Sequence, residues 1–120
     1  MTTEMRTGQT VRWNDDDAAA PATPWGPAQH AKCLADGVVW YDTAGHGGLS
    51  IRADVAGTVL TAAARSCGDF DGEAYWFEED VLCSVPFHEH PEWTDICTAA
   101  ETELFARENV PEYFARLAMS

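Results

Sequence analysis

Basic side chains are scarce in this sequence: seven Lys and Arg stand against 20 Asp and Glu in 120 residues, a formal net charge of −13. Phosphate backbones and anionic lipid heads repel such a chain, which disfavours direct binding to DNA, RNA or a membrane surface. Long apolar runs are missing too; none approaches the ~20 residues that span a bilayer, and the polar stretch Met1 to Thr10 is no basic-then-apolar leader. The four cysteines, Cys33, Cys67, Cys83 and Cys97, form no Cys-x-x-Cys pair, so they read as reduced thiols of a cytoplasmic protein and as core fillers, Cys97 above all. There is no Gly-x-Ser-x-Gly, phosphate loop, dinucleotide fingerprint or zinc-finger spacing. These absences exclude the readily recognised enzyme classes, imply no cofactor, and turn attention to basic protein surfaces as partners.

What is present suits one compact core. Hydrophobic residues make up 46% of the chain and aromatics 11%, with five tryptophans, in a length that accommodates a single domain. Residues 1–23 read as a weakly structured arm, with Asp15-Asp16-Asp17, an alanine triplet and Pro21, anchored by Val11 and Trp13. Residues 24–120 read as one acidic α+β domain, monomeric or homodimeric. Within it, Ala28 to Leu34 alternates, Asp36-Gly37 signals a hairpin, Val38 to Tyr41 is strongly β-prone, and Leu49 to Ala53 alternates again. This pattern predicts a small antiparallel meander of about three strands, followed by two or three helices packed against it. Thr58 to Arg65 is alanine-rich and helical in character. Trp76 to Val85 is predicted helical, with Phe77, Val81 and Val85 on one stripe. A further helix from His90-Pro91 would place Trp93, Ile96, Cys97, Ala100 and Leu104 on one face, and Tyr113, Phe114 and Leu117 belong to a last helical segment.

Between Arg65 and Arg107 there is no Lys or Arg, while eleven acids fall there: Asp69, Asp71, Glu73, Glu78, Glu79, Asp80, Glu89, Glu92, Asp95, Glu101 and Glu103. Local neutralisation is impossible, so these carboxylates are solvated, matched from elsewhere, or presented to a cationic partner. Arrayed on one face, they would mimic the charge of a nucleic-acid phosphate array.

Three groups could carry chemistry. In Thr43-Ala44-Gly45-His46-Gly47-Gly48, glycines flank a histidine that titrates near neutrality, fit for a general base, a metal ligand or a donor, or equally for a tight turn bonded to a carbonyl. Glu78-Glu79-Asp80 could join His46 in a small hydrolase or metal-assisted enzyme. On a helix, however, adjacent carboxylates point apart and cannot share one ion. His88-x-His90, with Glu89, Glu92 and Asp95 nearby, is a weaker metal candidate.

Thr23-Pro24-Trp25-Gly26-Pro27-Ala28-Gln29, then Thr43-Ala44-Gly45-His46-Gly47-Gly48, then Trp76-Phe77-Glu78-Glu79-Asp80 resemble, in that order, a small domain family of unknown function found on bacteriophages, plasmids and other mobile elements. The resemblance covers Thr23 to Phe87, with looser agreement through Tyr113-Phe114. The family pattern has serine where this chain has Gly45, so an activity that used the serine would be lost here. The resemblance implies an accessory protein of a mobile element and no particular reaction. With the charge balance, it sets the expectation of a cytoplasmic protein that binds and inhibits or redirects a host defence or nucleic-acid-processing factor, without itself contacting nucleic acid.

Overall fold

The most β-prone run of the chain lies in the middle of a six-stranded antiparallel sheet. The computed structural model describes residues 5–14 and 16–119. Residues 1–4 and Asp15 of the expected arm lie outside that set. The strands are β1 (Thr10–Arg12), β2 (Ala22–Thr23), β3 (Gly26–Pro27), β4 (His30–Ala35), β5 (Val38–Asp42), β6 (Gly47–Arg52), β7 (Asp69–Phe70) and β8 (Ala74–Glu78). The large sheet runs β1-β4-β5-β6-β8-β7, and β2 with β3 forms a separate two-stranded ribbon. The helices are α1 (Ala53–Val59), α2 (Ala62–Arg65), α3 (Ser84–Glu89), α4 (Ala99–Asn109) and α5 (Pro111–Met119), with a 3-10 turn at Pro91–Trp93.

The expected three-stranded meander is therefore corrected to six strands plus a ribbon. Three segments account for the added strands of the large sheet, and one of them, Asp69–Phe70, is the edge strand β7 paired with β8. The stretch expected to begin a helix at Trp76 is strand β8, paired along β6 from Arg52↔Ala74 to Gly48↔Glu78. Trp76 and Phe77 are both buried, on opposite faces of a sheet covered on both sides, and this removes the alternation that marks a half-buried strand. In the N-terminal arm, Thr10–Arg12 pairs with β4, and Trp13 donates its backbone N–H to the Gln29 carbonyl.

One face of the sheet carries the main core. Val38, Leu49, Ile51 and Phe77 are fully buried against Ala56, Leu60, Ala64, Val85, Val110 and Tyr113 from the helices. The helix expected from Pro91 begins instead at Ala99. There a capping box restarts the chain: Thr98 accepts from the Glu101 N–H, and the Glu101 side chain accepts from the Thr98 N–H. The proposed apolar stripe consequently breaks up. Trp93 is buried, but Ile96 is 88% exposed, Leu104 is 61% exposed, and Cys97 lies on the surface rather than in the core.

The opposite face of the sheet is roofed by Trp25, which the β2–β3 ribbon sets edge-on to Trp76 at 5.7 Å; the Tyr41 ring also lies 5.7 Å from Trp76, tilted to it. Trp25 also lies directly over Gly48, where any side chain would collide with it. The three motif segments of the sequence thus meet in one place. No helix among the described residues is long and apolar enough to cross a membrane.

Candidate functional site

The β5–β6 turn is closed by its own hydrogen bonds. The Thr43 N–H (2.8 Å) and Oγ1 (2.9 Å) both donate to the His46 carbonyl, and the His46 N–H donates back to Thr43 Oγ1 at 3.2 Å. Beside the turn, Asp42 accepts from Trp40 Nε1 and faces His30 Nδ1, each at 3.1 Å. The turn is tied to the end of β8 by the Glu79 N–H, which donates to the Gly47 carbonyl at 3.0 Å. A Cβ on Gly47 would come within 3.1 Å of Glu79 Oε2 and 3.2 Å of Asp42 Oδ1, so a bare backbone is what lets these carboxylates close over it.

This arrangement brings His46, Glu78 and Asp80 together. One ligand atom from each lies within 4.8 Å of the others, and theirs is the one such group of three or more metal-ligating side chains among the described residues. The helical reading of residues 78–80 had these side chains diverging. Instead β8 ends at Glu78, opposite Gly48, and the turn at residues 79–80 brings Asp80 beside His46 as well. No side-chain hydrogen bond or ion pair engages His46, Glu78 or Asp80 among the described residues.

His88 and His90 do not converge. The His88 ring packs against Tyr113 and Phe114, whereas His90 stacks on Trp93 and is bonded through Nδ1 to Glu92 and through Nε2 to the Val59 carbonyl.

Asp80 also lines a cleft of about 500 Å³ between β5, α3 and α4. Trp40, Phe87, Ile96 and Phe105 give it apolar walls, and Glu79, Asp80 and Glu101 are its charged residues; no Lys, Arg or His lines it. Trp40 and Phe87 stack at 6.0 Å. Cys83 also lines the cleft and donates its thiol to the Glu79 carbonyl at 2.9 Å. Burial, helped by the nearby Glu79 charge, pushes that thiol up to about 12, so it stays protonated at neutral pH and offers no thiolate nucleophile.

The eleven carboxylates divide by role. Asp71 accepts from Trp76 Nε1 and from the N–H groups of Glu73 and Ala74, each at 2.8 Å. Glu89 accepts from the Thr61 N–H (2.9 Å), the Thr61 hydroxyl and the Tyr113 hydroxyl (2.7 Å). Glu92 is engaged by His90, Glu101 by its capping box and Glu103 by Arg107. The remaining six, Asp69, Glu73, Glu78, Glu79, Asp80 and Asp95, have no side-chain partner among the described residues. Glu73 precedes one end of β8, Glu78 to Asp80 stand at the other, Asp69 lies in β7 opposite Trp76, and Asp95 falls between the 3-10 turn and α4.

Sequence reasoning missed the cleft, whose walls come from segments far apart in the chain. It also missed the inward turn of Glu89, which has no local signal. No curated protein and no solved structure shows significant similarity to the chain. A family model does match across residues 18–120, and the chain belongs to that family, DUF7007, a domain of unknown function.

Proposed function

We propose that the protein is a binding module carried by mobile elements and acting in the host cytoplasm. It takes a basic segment of a partner protein into the cleft between β5, α3 and α4, and so inhibits or redirects that partner. One observation carries this reading: apolar walls of Trp40, Phe87, Ile96 and Phe105 meet Glu79, Asp80 and Glu101 in a cleft without a single basic residue. Such a cleft favours a ligand with an apolar anchor and adjacent Lys or Arg, because burial of the anchor supplies affinity and the carboxylates select and orient the cation. Segments of that kind are common in proteins that handle nucleic acid, whose phosphate-binding surfaces are basic. The hydrolase alternative requires an enclosed substrate site beside His46, and the residues lining the cleft reach Asp80 but not His46.

The test is a photo-crosslinking residue at position 96, at the open edge of the cleft, in the full chain within its native host. A basic partner captured there, released by added salt and lost in Asp80→Lys, is the expected outcome. Capture that ignores salt and survives Asp80→Lys would refute the reading.

A further inference from the structure

We propose that His46, Glu78 and Asp80 form a binding site for a divalent transition-metal ion. An imidazole nitrogen and two carboxylate oxygens make a mixed donor set suited to Zn2+ or Mn2+ rather than to Ca2+ or Mg2+, which prefer oxygen ligands throughout. Ligand atoms on bonds of ~2.1 Å sit about 3–3.5 Å apart around one ion. The three groups already lie within 4.8 Å, and small rotations of exposed side chains close the difference.

The scaffold is arranged before any ion arrives. The three Thr43–His46 hydrogen bonds fix the turn, Gly48↔Glu78 pairing fixes the register, and the Glu79–Gly47 bond holds the segment leading to Asp80 against the turn. All three ligating side chains are otherwise unpartnered among the described residues. A partner's lysine is the other cation such a site would attract, but the imidazole decides for a metal, since its lone pair contributes a coordinate bond that an ammonium cannot accept. His46 and Asp80 are exposed, so an ion held there keeps open positions for water or an added ligand. This inference stands apart from the partner-binding reading, and either can fail alone.

The experiment titrates tag-free full-length protein with Zn2+ by calorimetry and, separately, follows Mn2+-induced broadening of backbone amide signals. One-to-one Zn2+ binding is expected, at least about tenfold weaker in each of His46→Ala, Glu78→Gln and Asp80→Asn and unchanged in Glu108→Gln. Broadening in the unaltered protein is expected to centre on residues 45–48 and 78–81, which reads the site without relying on any variant. Excess Ca2+ should not reverse it. Broadening centred on His88 and His90 or elsewhere, Zn2+ affinity indifferent to all three substitutions, or no saturable binding would each overturn the proposal.

Discussion

Substituting Gly48 by alanine tests whether the three motif segments are locked together as described. The new Cβ would lie 2.6 Å from the Phe77 carbonyl oxygen and collide with the Trp25 ring. The carbonyl is held in the β6–β8 ladder and cannot retreat, so relief comes from Trp25 swinging off the sheet. Forcing a methyl into such a site costs about 1–3 kcal/mol. Losing the edge-on Trp25–Trp76 contact adds about 0.5–1.5 kcal/mol. A total of about 1.5–4.5 kcal/mol corresponds to a fall in Tm of about 6–18 °C for a chain of this length.

Thermal melts followed by near-UV circular dichroism read both the stability and the loss of the tryptophan pair. In a Trp25→Ala background the collision with the ring is gone and only the carbonyl contact remains. The two substitutions together should therefore cost at least about 1 kcal/mol less than their separate effects combined. A Gly48→Ala protein that melts within about 2 °C of the unaltered chain, or strict additivity with Trp25→Ala, would show that Trp25 does not seal this face.

Glu89→Ala should destabilise the fold by about 2 kcal/mol in urea unfolding, chiefly because the hydroxyl of the fully buried Tyr113 loses its acceptor, while Glu108→Ala leaves stability within about 0.5 kcal/mol. A disulfide-exchange reagent should find one fast thiol in the native protein, Cys97, and four after unfolding, with Cys83 slowed by burial and by its raised pKa; fast labelling of Cys83 would contradict the cleft geometry. Acid should weaken the fold through Asp71, whose pKa is held down by the Trp76 indole and backbone N–H donors, joined by Glu92, Glu101 and Glu103, also depressed. Folded values below the ordinary 3.8 and 4.5 mean that their contribution is complete above those values and disappears as pH drops through the folded ones, so Asp71→Asn should flatten the acid limb of a urea-stability profile. Alkali acts with the opposite sign: burial raises Cys83 and Tyr113, so above the ordinary values of 9.0 and 10.0 the unfolded chain ionises first and stability should fall with rising pH.

How far the sequence could be read depended on the range of the interactions that decide each element. The β4–β5 hairpin is a local object: Asp36-Gly37 supplies the turn, with Gly37 at φ +72°, and the β-prone run follows at once. Strand β8 is not local. Trp76-Phe77-Glu78-Glu79 suits either period, and pairing with β6 decides it. Strand β1 offers a single apolar side chain, Val11, and exists because β4 presents an edge to pair with. The start of α4 was open to reading in Thr98-x-x-Glu101, but the proline at residue 91 draws the eye first. Likewise His46 and the 78–80 acids are conspicuous in the sequence, whereas their convergence follows from the Gly48↔Glu78 register, which no local pattern encodes.

That register has a chemical consequence beyond placing three ligands. The end of β8 and the turn after it bring Glu78 and Asp80 together beside His46, while Asp80 and Glu79 also line the cleft. Asp80 is therefore common to both candidate sites. A divalent ion beside His46 would remove negative potential from the cleft mouth, and a basic segment in the cleft would draw on the same carboxylate, so each ligand would oppose the other by an equal factor. No ion pair engages Asp80 among the described residues, so no internal cation competes there with either ligand. Of the acids in this tract, five have donors facing them and help to hold the fold, whereas Glu78, Glu79 and Asp80, on which the two proposed sites draw, have no side-chain partner among the described residues.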